Sequence, residues 1–154
     1  MVRLLGMCMM CVLAAGAGLP AAQKPAPPPP KPAAAAAGDV TVTASYTGKG
    51  VIDATTDILV FLFDHPNPGA ESRPLGLQRV TKNGGAVTFK GIAASPVYVA
   101  VVYDEKGTYE GQGTPPPGTP YLIYGVTAKT QATPIVPGPK GKVTVRFDGS
   151  NRWK

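Results

Sequence analysis

From residue 39 onward the apolar positions recur every second residue, in short runs that stop at Gly, Pro, Asn or Asp. That period belongs to strands, not helices. Val40, Val42, Ala44 and Tyr46 alternate with Thr41, Thr43 and Ser45, the pattern of a strand with one dry face and one wet face. Residues 58–63 (ILVFLF) are apolar without a break, which predicts a central strand covered on both sides. A weaker strand is expected over 77–81, and Asn83-Gly84-Gly85 is a tight-turn signal leading into a strand over 86–90. Residues 97–103 make the second strongly apolar strand, and 121–124 and 142–147 supply two more. Six or seven strands with no convincing helix predict an all-β fold of two packed antiparallel sheets. A closed barrel is the alternative.

The first 38 residues are of another kind. A positive start at residues 1–3, an apolar run over 4–15 and the small-residue site Ala15-Gly16-Ala17 spell a secretory signal peptide, with cleavage expected after Ala17 or Ala22. A retained anchor is the alternative, although Gly6, Gly16, Gly18 and Pro20 interrupt a run barely long enough to span a membrane. Residues 24–38, KPAPPPPKPAAAAAG, read as a stiff, solvated linker of the polyproline kind. The expected organisation is therefore a signal peptide at 1–22, a Pro/Ala-rich linker at 23–38 and one β domain at 39–154, acting in the periplasm, at the cell surface or as a secreted protein.

Composition narrows the function. Gly 19 and Pro 18 among 154 residues suit many short strands and turns. The formal charge of +6 falls to +3 over residues 39–154, where twelve Lys or Arg face nine Asp or Glu. That mixed surface argues against nucleic acid as a partner. Cys8 and Cys11 both lie in the leader, so the mature domain is expected to have neither disulfide nor Cys metal site.

The run Pro96-Val97-Tyr98-Val99-Ala100-Val101-Val102-Tyr103-Asp104-Glu105-Lys106-Gly107, followed by Gly118-Thr119-Pro120 and Tyr124-Gly125, resembles a segment of bacterial exported β-sandwich proteins of unknown function. Gly85-Ala86-Val87-Thr88-Phe89 before it is loosely similar to the carboxypeptidase regulatory-like, or transthyretin-like, sandwiches. The resemblance covers residues 85–125 and implies a small transthyretin-like or Ig-like β-sandwich and an exported life. It implies no reaction.

Candidate chemistry is sparse. His65, the single histidine, follows Asp64 at the end of the first central strand, but no serine carries a nucleophile-elbow context, so a turn residue with a solvated ring is expected. Asp104, Glu105 and Glu110 are acids in one loop, with a spacing that the resemblance associates with a cation loop, yet Lys106 and Thr108 occupy would-be ligand positions. No cofactor is expected. Tyr98, Tyr103, Tyr109, Tyr121, Tyr124 and Trp153 are the candidates for a sugar platform; strand alternation sends Tyr121 and Tyr124 to opposite faces and puts Tyr103 with Val99 and Val101.

The long loops are the remaining signal. Residues 64–73 and 104–120 exceed what a hairpin needs and are stiffened by Pro66, Pro68, Pro115, Pro116 and Pro117. The expected function is a non-catalytic envelope or secreted module, binding a protein or polysaccharide through loops gathered at one end of the sandwich. Tyr109, Glu110, Pro115, Pro116, Pro117 and His65 are its candidate contacts, with Tyr109 and Glu110 expected to be exposed. A carbohydrate- or calcium-dependent adhesion domain and a hydrolase built on His65 are the alternatives. No membrane span is expected after signal cleavage.

Overall fold

A computed structural model describes residues 37–69 and 72–154. The signal peptide expected at 1–22 and most of the 23–38 linker lie outside the described residues. Seven strands follow in order: β1 Gly38–Tyr46, β2 Ile58–Phe63, β3 Gly76–Val80, β4 Ala86–Ile92, β5 Tyr98–Tyr103, β6 Tyr121–Ile123 and β7 Lys142–Phe147. They form a three-stranded sheet, β4-β1-β7, and a four-stranded sheet, β3-β2-β5-β6. The two sheets pack as a small β-sandwich.

Alternation decides which side chains meet between the sheets. Val40, Val42, Ala44 and Tyr46 of β1 face Ile58, Val60 and Leu62 of β2 and Val99, Val101 and Tyr103 of β5. Phe89, Val145 and Phe147 extend this core from β4 and β7. Tyr46 closes one end, its ring 4.5 Å from that of Tyr103 and 5.1 Å from that of Phe147, spacings at which tilted aromatic pairs attract.

One expectation needs correcting. The sheets are not wholly antiparallel: β7 runs parallel to β1, with Thr41 opposite Lys142 and Tyr46 opposite Phe147. The chain reaches β7 by crossing over from the other sheet, and a crossover, unlike a tight turn, lets a strand return in the same direction. The Asn83-Gly84-Gly85 turn leads into β4 as its sequence predicts, and it carries the chain from one sheet to the other, since β3 and β4 belong to different sheets. Asn83 also acts as an edge partner of β1: its side-chain amide donates to the carbonyl of Tyr46 at 2.8 Å, and its Oδ1 accepts from the Tyr46 N–H at 2.9 Å. The side chain thereby continues the ladder past the end of β4.

β2 is buried along its whole length, as its unbroken apolar run predicts. Its second face, Leu59, Phe61 and Phe63, joins Ala100 and Val102 of β5 in a separate apolar cluster on the outer side of the four-stranded sheet. Neither a helix nor another sheet covers that side among the described residues. Loops do.

Candidate functional site

β2 and β5 pair antiparallel, Ile58 opposite Tyr103 and Phe63 opposite Tyr98, so the loops that follow them leave from opposite ends of the sheet. The expected gathering of both loops at one end is therefore wrong. They meet all the same, because each folds back over the outer face.

Residues 104–120 come from the Tyr103 end and are held down by a polar staple. Asp104, 4% exposed, accepts from the Tyr109 N–H at Oδ2 (2.7 Å) and from the Lys106 N–H at Oδ1 (3.3 Å). Asp57, 2% exposed, receives both oxygens' bonds from Nη1 of Arg79 at 3.1 and 2.9 Å. The other guanidinium nitrogen of Arg79 donates to the Tyr109 carbonyl at 3.1 Å. The Asp57 hydrogen bonds and charge hold Arg79 more firmly protonated than usual.

Tyr109 is consequently not an exposed loop residue. It is 7% exposed, packs in the outer apolar cluster with its ring 6.3 Å from Phe61, and donates its hydroxyl to the Gly113 carbonyl at 2.8 Å. Burial pushes its phenol above the usual tyrosine range. Gly111 follows at φ +79°, where a Cβ would run into Leu77 and Leu59. The left-handed backbone favours glycine there, and any larger residue would also have to displace the Leu77 side chain.

The C-terminal segment supplies another wall. Residues 151–153 lie antiparallel beside 118–121, with the Trp153 N–H donating to Thr119 at 2.9 Å and the Gly118 N–H donating to Trp153 at 2.7 Å. The Trp153 ring meets Tyr121 edge-on, centroids 5.3 Å apart and planes at 71°, a favoured aromatic geometry.

Between these walls lies a half-open cleft of about 270 Å³. Phe61, Phe63, Ala100, Val102 and Ile123 make its floor; Tyr109, Pro115, Tyr121 and Trp153 line one part, and Pro68, Ser72, Arg73 and Pro74 from residues 64–75 another. Gln112 and Thr114 are exposed residues of its rim.

The sequence-derived candidates divide accordingly. Tyr109 and Pro115 are in the cleft; Glu110, Pro116, Pro117 and His65 are not among its lining residues. Pro116 works within its own loop, its carbonyl accepting from Thr119. His65 is half-buried in the bend that follows β2, its ring tilted against Phe63 at 5.8 Å. The acids of the alternative cation loop are parted: Asp104 is engaged by backbone amides, Glu105 pairs with Arg152 at 3.0 Å, and Glu110 is exposed. No group of three potential ligands converges among the described residues.

Arg73 and the floor pair Phe61 and Phe63 are not among the residues the sequence singles out, whereas Tyr121 and Trp153 are among its sugar-platform candidates and both line the cleft. The available signal was the outer-facing half of the ILVFLF strand, an apolar stripe that needs a cover.

No family model matches the chain, and neither a curated protein nor a solved structure does so.

Proposed function

We propose that this chain is an exported, non-catalytic binding module whose ligand enters the cleft on the outer face of the four-stranded sheet. The observation that carries the proposal is the convergence of two loops from opposite ends of that sheet onto one aromatic-lined concavity. Concave, mostly apolar sites with a few polar groups are where ligands usually bind, and rigid sandwiches commonly bind through long ordered loops. The leader and the Pro/Ala-rich linker favour action outside the cytoplasm.

A photoreactive residue at Gln112, in the full chain expressed in its host, tests this reading. Capture of one dominant species is expected, abolished when Thr114→Trp fills the cleft without altering the melt. Undiminished capture in that variant places the binding surface elsewhere. Protein recovered from the envelope should begin near Gly18 or Gln23; an intact Met1 terminus contradicts export by a cleaved signal.

A saccharide ligand is the second reading, favoured by the half-buried pair Tyr121 and Trp153 at the cleft wall.

A further inference from the structure

One charged side chain lines the cleft among the described residues, the guanidinium-bearing Arg73. Arg73 is exposed and shares the lining with a floor whose side chains are hydrocarbon throughout: Phe61, Phe63, Ala100, Val102 and Ile123. These two features ask different things of a ligand. A guanidinium presents a planar fork of donors that matches a carboxylate, and such charge-assisted bonds are stronger than neutral ones, the more so beside apolar walls. The floor offers no polar partner from its side chains, so any hydroxyl pressed against it would lose its hydration without replacement.

We propose that the cleft binds a compact aromatic carboxylate, its ring laid on the Phe61 and Val102 floor beside Tyr109 and its carboxylate paired with Arg73. The inference rests on the cleft reading above and names the ligand class. Size agrees: about 270 Å³ falls just below the roughly 300–1,000 Å³ of pockets for drug-sized ligands, which suits one ring with a short acid arm. A sugar ring would set its C–H face on the same floor and its hydroxyls toward Ser72, Gln112 and Thr114 at the walls, so the glucuronate arm below separates the two ligand classes. The Tyr121 and Trp153 pair then serves as an aromatic wall against the ligand ring.

Trp153 is the single tryptophan of the chain and lies in the cleft wall, so its fluorescence reports occupancy directly. The full chain is titrated with 3-phenylpropionate, with the neutral 3-phenylpropanol and with glucuronate, in parallel with calorimetry. The expected result is saturable change with phenylpropionate at a Kd on the order of 0.1 mM, binding of the alcohol weaker by about tenfold or more, and no saturation with glucuronate. Arg73→Gln should weaken phenylpropionate by about tenfold and leave the alcohol unchanged. Arg73→Lys, which keeps the charge but loses the planar fork, should fall between the two. Equal affinity for acid and alcohol, or indifference to Arg73→Gln, overturns the carboxylate assignment; saturation by glucuronate but not phenylpropionate overturns the aromatic ring. If none of the three binds while Gln112 still captures its partner, the ligand class proposed here is wrong and the binding-module reading stands.

Discussion

The backbone N–H of Tyr109 donates to Oδ2 of Asp104 across 2.7 Å, and that bond folds residues 104–109 back onto the sheet that β5 has just left. Tyr109 thus reaches the outer apolar cluster. Truncating it should remove the ring's packing against Phe61 and the bond to Gly113 together. Tyr109→Ala is expected to cost about 3 kcal/mol, in the range of buried aromatic truncations, and Tyr109→Phe about 1 kcal/mol for the hydroxyl alone. Glu110→Ala, at an exposed position, should change stability by less than about 0.5 kcal/mol. Urea melts of the three variants check the order.

Arg79 joins the sheet to the loop by holding Asp57 and the Tyr109 carbonyl at once. Arg79→Leu leaves the buried Asp57 carboxylate without its cation, and the loss is expected to be about 2 kcal/mol. The figure is moderated because the Arg79 side chain is 40% exposed and its solvent screens the pair. A thermal melt should fall by several degrees, with increased amide exchange in residues 105–115.

Gly111 and Gly113 offer a controlled comparison, since both have left-handed φ, +79° and +65°, yet only Gly111 would bring a Cβ against Leu77 and Leu59. A Cβ at Gly113 meets nothing within 4 Å. Gly113→Ala should cost about 1 kcal/mol for the backbone alone, and Gly111→Ala about 2 kcal/mol because the Leu77 and Leu59 side chains must also shift to admit the methyl. Equal costs would mean that the loop does not press on the sheet at Gly111.

Burial raises the pKa of Tyr46, Tyr103 and Tyr109 above the ordinary value of 10.0. A raised folded-state pKa means that the unfolded chain releases its phenol protons first as pH climbs. Stability should be unaffected by these groups below about pH 9 and decline as pH rises through 10 and beyond. Melting temperatures from pH 8 to 11, read beside tyrosinate absorbance, should show unfolding and phenol ionisation together. A melt unchanged at pH 11 would contradict burial of these hydroxyls.

How far the chain could be read follows from which interactions are local. Period-two alternation over residues 40–46 and the unbroken run at 58–63 record burial directly, and the strands lie where those patterns put them. Pairing partners are not recorded that way. Nothing in the KVTVRF run of β7 says that it returns parallel to β1, because a crossover and a hairpin leave the same alternation. The cleft was harder still. Tyr109 in isolation reads as a loop aromatic, and its burial depends on Asp104, Arg79 and the Gly111 backbone acting together. Pro115 was found through loop stiffness, whereas Trp153 reaches the cleft only through pairing of residues 151–153 beside 118–121, a contact over some thirty positions that no local pattern encodes.

The two outer faces of the sandwich give the most direct test of where binding occurs. Gln112 lies at the rim of the cleft, whereas Thr144 is exposed in β7 of the three-stranded sheet. Photoreactive residues placed at these two positions, one per protein, are compared for capture in the host under identical illumination. Strong capture from Gln112 with background capture from Thr144 is the predicted result; equal yields, or the reverse, contradict binding through the loop-covered face of the four-stranded sheet.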